Sequence, residues 1–408
     1  MRQVKTIKIN LPPDKSISHR VAIFGSVFDG ETIVENFSTC EDCLSTLSCL
    51  EKLGVKFSLE KSILKIQGKG LYGLEKPNEN LDCGNSGTTM RFLTGLLAGQ
   101  KFDSVLVGDK SLSKRPMERV IKPLSLMNAK IELSENGTAP IKIFGSALKP
   151  ISYEMPVESA QVKSAIQIAS FYSGESKISH KTNFRNHTDL ILKEFSKAQK
   201  NWKIKIPNDF SSASFWIVFG IANKRNLKIS LKNVGLNPTR TAFLKVVKKM
   251  GAKIKIKNQK LFGNEPVGDL LISPSKTKNV EIVSELIPNL IDEIPILSIL
   301  GIFSKGKFSL RNASELRVKE VDRISALTKI FKALELDFQE LFDGFEFEPS
   351  TNFTQITLPE TSDHRIAMSS AILSLLSEGK VEFKNFESAK ISYPNFEEEF
   401  LKILERNG

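Results

Sequence analysis

One design recurs six times along this 408-residue chain: a polar or charged opening, about 12 apolar residues, then a small residue or Gly as a stop. The copies are DKSISHRVAIFGSVFDG from Asp14, NSGTTMRFLTGLLAG from Asn85 and SAQVKSAIQIASFYSG from Ser159. They continue with SSASFWIVFGIAN from Ser211, IDEIPILSILGIFSKG from Ile291 and SDHRIAMSSAILSLLSEG from Ser362. The starts are separated by 71, 74, 52, 80 and 71 residues. Each segment is long enough for a helix and apolar on every side, which predicts burial rather than a solvated face.

A second pattern fills the intervals: an amphipathic helix ending at a small residue, then two short alternating strands. LSTLSCLEKLGVKFSLEKSILKIQG, ERVIKPLSLMNAKIELSENGTAPIKIFG, TAFLKVVKKMGAKIKIKNQKLFGN and RISALTKIFKALELDFQELFDGFEFEP show it, and LILKEFSKAQKNWKIKI is a shortened version. The repeating unit reads strand–helix–strand–helix–strand–strand, with the third copy short by about 20 residues. A chain of this length exceeds what one core usually organises. The prediction is an α/β protein of two similar domains, three repeats each, with the first helix of every repeat at a pseudo-threefold centre.

Buried helices aligned in this way present their N-termini together, where unpaired amides favour anions. Lys15, Arg20, Arg91, Gln161, Lys163, Asp292, His364 and Arg365 stand at those openings. Cations are repelled from a helix N-terminus unless an anion lies between, so their clustering there points to an anionic ligand. The net charge of +12 is spread along the chain rather than gathered in runs or interleaved with aromatics. It fits the focusing of small phosphorylated substrates, and no nucleic-acid partner is expected.

The longest apolar run, Ile294 to Phe303, is about half of a membrane span, so no membrane association is expected. MRQVKTIKIN has no apolar core of a secretory signal, and the four cysteines, all before residue 84, form no disulfide framework. A reducing cytoplasm is the expected compartment. Cys40-x-x-Cys43 lacks the second pair of a zinc site, so no metal is expected.

Individual motifs sharpen the anion reading. DKSISHR sets Lys15, Ser16 and Arg20 around one helix start. DCGNSGTTMR is a Gly-bracketed loop, including Gly87, that lets backbone amides approach an anion. GDKSLSKRPMERVIKPL carries Arg115 and Arg119, and ELRVKEVDRI brings Lys319, Glu320 and Arg323 within about one turn. With SAQVKSA, RNHTD, SSASF, GLNPTR, IDEIP, DHRIAM and SYPNF, these motifs resemble the 5-enolpyruvylshikimate-3-phosphate synthases over about 390 residues.

That resemblance implies an inverted α/β barrel of two domains with the active site in the cleft between them. The chain would cross twice, giving residues 1–13 plus 209–408 as one domain and 14–208 as the other. It implies transfer of the enolpyruvyl group of phosphoenolpyruvate to the 5-hydroxyl of shikimate 3-phosphate, with release of phosphate. No cofactor is implied, and the expected form is a monomer. Lys15, Gly87, Arg115, Gln161, Lys319, Arg323, His364 and Arg365 would surround phosphoenolpyruvate. Lys15, Ser16, Arg20, Ser159, Gln161, Asp292 and Lys319 would hold shikimate 3-phosphate. Asp292 and Glu320 would move protons, with Lys15 and Lys319 completing the catalytic set.

The sequence departs from the family pattern at several points. Pro13 replaces the usual Gly before DKS, Phe184 a phosphate-binding Ser, and Asn208-Asp209 a Gly-Asp pair. Val321 stands for Ser or Thr, Ser362 precedes DHR, and Ile391 occupies a position that is Lys in some members, with Lys390 beside it. Phe184 lies in the shortened repeat, on the acceptor side. Two alternatives therefore stay open at this level: enolpyruvyl transfer to a different acceptor alcohol, and a catalytically silent ligand-binding paralogue. A nucleotide-sugar acceptor is disfavoured, because related enzymes commonly use a loop cysteine and none follows Cys83.

Overall fold

Strict in–out alternation marks the short strands: Ile7 and Ile9, Leu64 and Ile66, and Trp202 and Ile204 are buried between exposed neighbours. Sheets with one dry face need helices to cover it, and the apolar segments supply them. The structure, a computed structural model, describes residues 5–181, 184–384 and 386–405. The ends of the domain expected at 1–13 plus 209–408 thus lie outside the described residues at 1–4 and 406–408.

The chain divides into two compact units. The first comprises Met1–Pro12, Pro207–Leu261 and Pro266–Gly408; the second comprises Pro13–Ile206 with the four residues Phe262–Glu265. Each has its own hydrophobic core. In the second unit the buried helices are α1 (Lys15–Val27), α3 (Gly87–Leu97) and α5 (Ala160–Ser173). Outer helices α2 (Glu41–Lys52), α4 (Glu118–Leu126) and α6 (His187–Phe195) alternate with them. The first unit repeats the plan with α7 (Phe210–Ala222), α9 (Ile294–Ile302) and α11 (His364–Leu376) packed against one another. Its outer helices are α8 (Ala242–Lys249), α10 (Arg323–Ala333) and α12 (Phe396–Glu405).

Three sheets flank each helix trio. In the second unit Asn201–Lys205 runs parallel to Glu31–Glu35, which pairs antiparallel with Ile63–Gln67 and onward to Lys56–Glu60. Leu81–Asp82, Ser104–Val107, Ile141–Phe144 and Lys130–Glu132 repeat that order. The first unit has Thr6–Ile9, Lys228–Gly235, Glu265–Ser273 and Lys253–Phe262 in the same sequence of neighbours. Two of these sheets borrow their first strand: Thr6–Ile9 precedes α1 but pairs in the first unit, and Asn201–Lys205 precedes α7 but pairs in the second.

The shortened repeat has lost its hairpin. Its sheet is the parallel pair Ser152–Glu154 and Lys177–Ser179 alone, and the segment after α6 is the single borrowed strand. The sixth repeat likewise carries only the parallel pair Ile356–Thr357 and Val381–Glu382 before α12. The six repeats are therefore not equal, because a hairpin survives only in the first, second, fourth and fifth.

Candidate active site

Acidic or hydroxyl side chains cap five of the six buried helices, α9 being the exception. Asp14 accepts from Ile17 N at 2.8 Å, Ser86 from Thr89 N at 3.1 Å and Asp209 from Ser212 N at 2.7 Å. Ser159 accepts from Val162 N at 3.4 Å, so its hydroxyl proton points elsewhere. These four caps satisfy one amide each, and cationic residues follow inside α1, α3 and α5.

At the start of α1 the Lys15 ammonium lies 2.7 Å from the Asp42 carboxylate on the first turn of α2. One turn later Arg20, 3% exposed, donates from Nε to Thr188 Oγ1 at 2.6 Å, from Nη1 to Ser16 O at 2.7 Å and from Nη2 to Ser164 Oγ at 2.9 Å. Its guanidinium sits 4.8 Å from the centroid of Phe92. Burial lowers the Arg20 pKa to about 10, against the pull of Asp14, so the group is still cationic at neutral pH. Burial, then Lys15 and Arg20, push His19 well below its usual range, leaving a neutral ring paired with Thr46 at 2.7 Å.

Gly87 opens α3. A Cβ there would lie 2.7 Å from Arg91 Nη1 and 3.0 Å from Arg115 Nη1, so only Gly lets both guanidiniums close on this helix end. Arg91 donates to Gln161 Oε1 at 2.7 Å, and Gln161 Nε2 donates to Thr88 Oγ1 at 2.9 Å, joining α3 to α5. Lys163 pairs with Asp189 at 2.7 Å and stands 5.9 Å over the Phe184 ring. Phe184 is buried edge-to-face with His180, so this position contributes packing rather than a hydroxyl. Cys40 and Cys43 are buried and unpaired, and Cys43 Sγ reaches Lys15 O at 3.7 Å.

Carboxylates dominate the corresponding region of the first unit. Asp292, just before α9, faces Arg323 Nη1 at 3.6 Å, Arg365 Nη2 at 3.7 Å and Arg240 Nη1 at 3.8 Å. Arg365 Nη1 also donates to Asp292 O at 3.0 Å. Glu320 Oε2 lies 2.5 Å from Arg323 Nη2, while Arg323 Nε donates to Asp363 Oδ2 at 2.8 Å. Asp363 uses its other oxygen to cap α11 at Arg365 N and Ile366 N. Burial opposes the charge on Arg323, but Asp363, Glu320 and Asp292 outweigh it and raise its pKa. Lys319 follows the 3-10 turn Ser314–Val318; burial lowers its pKa to about 8, with Asp292 pulling the other way and Arg323 adding to the depression. His364 and Arg365 are the first two residues of α11, and both are buried.

One region thus offers cations and hydroxyls to anionic groups; the other holds two carboxylates, Asp292 and Glu320, on one guanidinium, with an amine whose pKa burial lowers to about 8. Binding phosphates and moving protons are the respective capacities. A family model described as EPSP synthase (3-phosphoshikimate 1-carboxyvinyltransferase) matches residues 3–400. The chain belongs to the EPSP synthase family.

Relatives named 3-phosphoshikimate 1-carboxyvinyltransferase include one from Thermoanaerobacter sp. (strain X514), 43% identical over 96% of each chain. Another, from Petrotoga mobilis, is 46% identical over 97% of this chain and 96% of its own. The solved EPSP synthase of Acinetobacter baumannii superposes with a TM-score of 0.83 at 36% identity, covering 98% of this chain and 96% of that one. The enolpyruvyl transferase NikO from Streptomyces tendae shares the fold alone, with a TM-score of 0.72 at 13% identity. As an EPSP synthase the protein is a transferase of the shikimate pathway, moving the enolpyruvyl group of phosphoenolpyruvate to shikimate 3-phosphate for aromatic amino-acid biosynthesis. No described helix is long and apolar enough to cross a membrane.

Sequence reasoning missed the partners that hold the charged side chains of each region in place. Asp42, Ser164 and Thr188 orient Lys15 and Arg20; Arg240, Glu293 and Asp363 brace Asp292, Arg323 and Arg365. Asp363 was findable as the acidic residue directly before a buried helix. Glu293, fully buried and 3.5 Å from Arg240, sits unmarked beside Asp292 in the sequence. Lys390 is exposed and Ile391 half-buried, so neither carries a visible role.

Proposed function

We propose that the two regions divide the work of the EPSP synthase reaction. Lys15, Gly87, Arg115, Gln161, Lys319, Arg323, His364 and Arg365 take phosphoenolpyruvate, where guanidinium and ammonium groups suit its carboxylate and phosphate. Lys15, Ser16, Arg20, Ser159, Gln161, Asp292 and Lys319 take shikimate 3-phosphate. Asp292 accepts the proton of the 5-hydroxyl as its oxygen bonds to C2 of phosphoenolpyruvate. Glu320 delivers a proton to C3, which becomes a methyl group. The phosphate then leaves with its C2–O bond, a proton returns from the methyl group, and Lys15 and Lys319 stabilise the departing charge.

The shared guanidinium of Arg323 carries this reading. It holds Glu320 at hydrogen-bond distance and Asp292 at ion-pair distance, which suits two carboxylates handling protons at neighbouring atoms of one intermediate. Phosphate release from phosphoenolpyruvate, measured with and without shikimate 3-phosphate, tests it in wild type and Asp292→Asn. Acceptor-dependent release that survives unchanged in Asp292→Asn would remove Asp292 from the mechanism. The protein is further read as a cytoplasmic monomer with no nucleic-acid partner, in keeping with four unpaired cysteines and dispersed charge. Sedimentation at micromolar concentration checks the monomer.

A further inference from the structure

The third repeat has no hairpin of its own, and its outer helix α6 is held by a turn contributed from far along the chain. Residues Phe262–Glu265 join the strands Lys253–Phe262 and Glu265–Ser273, yet they belong to the second unit, as do α6, Arg20 and Ser164. Asn264 N donates to Glu194 Oε1 at 2.5 Å and Asn264 Nδ2 to Leu190 O at 3.1 Å. Gly263 adopts a φ of 56°, and a Cβ there would collide with the Glu194 carboxylate, so the turn is shaped to its seat. The third contact is the most deeply buried. Glu265 Oε1 lies 2.6 Å from His187 Nδ1, with both side chains almost fully buried, at 6% and 2% exposure.

An ionised carboxylate only accepts, so Nδ1 of His187 carries the hydrogen and its ring orientation is fixed. His187 Nε2 is buried with no hydrogen-bond partner among the described residues. The next residue is Thr188. Its hydroxyl accepts from Arg20 Nε and lies 2.7 Å from Ser164 Oγ, which Arg20 Nη2 also reaches. Two short contacts, linked by the His187–Thr188 peptide bond, therefore lead from the turn to the guanidinium assigned to the acceptor phosphate.

We propose that Glu265 is a positioning residue for shikimate 3-phosphate: by fixing His187 it fixes the first turn of α6, and with it the Thr188 hydroxyl that orients Arg20. The inference rests on the assignment of Arg20 to shikimate 3-phosphate made above. It accounts for an acceptor site that works without the family's Ser at Phe184, because orientation comes from the turn instead.

Phosphate-release kinetics on wild type, Glu265→Gln and Arg20→Lys test it. Glu265→Gln is expected to raise KM for shikimate 3-phosphate about tenfold or more, the worth of one charge-assisted hydrogen bond, while KM for phosphoenolpyruvate and kcat change less than about threefold. An unchanged acceptor KM, or equal rises in both KM values, overturns it. A raised acceptor KM in Arg20→Lys with none in Glu265→Gln discards Glu265 and keeps Arg20; no effect in Arg20→Lys discards the assignment beneath. Should Glu265→Gln not fold, nitrogen NMR of wild type decides, since His187 is one of four histidines. Its ring signals should shift on adding shikimate 3-phosphate alone and stay put with phosphoenolpyruvate alone. No shift at saturating shikimate 3-phosphate overturns the proposal.

Discussion

The same three-helix plan has been given opposite electrostatic content in the two units. In the second, Lys15 and Arg20 stand inside capped helices and lean on one carboxylate or on hydroxyls and carbonyls. In the first, Asp292, Glu293, Glu320 and Asp363 are cross-braced by Arg240, Arg323 and Arg365. Cations leaning on neutral partners keep their field for an incoming anion. Carboxylates in a guanidinium lattice keep their geometry while a proton comes or goes. A repeated fold therefore fixes where functional groups stand, and local partners decide what each group can do.

Glu320→Gln should break the contrast most severely. The amide keeps the size and one contact to Arg323 but cannot deliver a proton, so kcat is expected to fall by about 10²–10⁴ with KM for phosphoenolpyruvate changed less than about threefold. Stopped assays of phosphate release would show it. A matched loss in kcat and donor affinity would make Glu320 a binding group instead.

Asp363→Asn tests the lattice itself. Asp363 serves Arg323 and two backbone amides of α11 from a fully buried position, and the amide leaves Arg323 Nε facing a weaker or wrong-handed partner. The expected cost is roughly 2–3 kcal/mol of stability, seen as a Tm lowered by several degrees, with kcat reduced as well. Asp42→Asn is the matching cut in the second unit. It removes one ion-pair partner from Lys15, and a smaller cost of about 1 kcal/mol is expected.

How much of this was legible in sequence follows the same divide. The buried helices announced themselves because they are apolar all round, and Lys15, Arg20, Gly87 and Arg365 because they break that pattern at its start. Asp363 and Glu293 stayed hidden since an acidic residue before a helix reads first as a cap. Glu265 was beyond reach for another reason: it lies 78 residues from His187, and no local periodicity encodes the pairing of a turn with a helix of another repeat. The unequal repeats were only half readable. The 52-residue interval exposed the missing material, but not that the surviving strand Asn201–Lys205 joins the sheet of the first repeat.

Gly87→Ala sharpens the contrast from the cationic side. The added methyl would meet the ends of two flexible arginines rather than backbone, so the helix should fold and the guanidiniums should yield. KM for phosphoenolpyruvate is expected to rise about tenfold with Tm within roughly 1 °C of wild type. A large fall in Tm instead would mean that the space at Gly87 serves packing and not anion approach.

The smallest expected effect separates charge from fold at Lys319. Its pKa is lowered from 10.5 to about 8, chiefly by burial, so the ammonium is intact below about pH 8 and is lost above it. For activity, kcat/KM for phosphoenolpyruvate should therefore decline above about pH 8, reaching a loss of up to about tenfold one unit higher. For stability the sign is reversed. Between about pH 8 and 10.5 the unfolded chain still binds the proton that the folded site has released, so this site favours folding more as pH rises. Falling activity in that window thus cannot be unfolding at Lys319, and a Tm that holds or rises while kcat/KM drops is the expected signature. Lys319→Arg, charged throughout, should move the basic limb out of range; a limb that stays near pH 8 in that variant would assign it to another group.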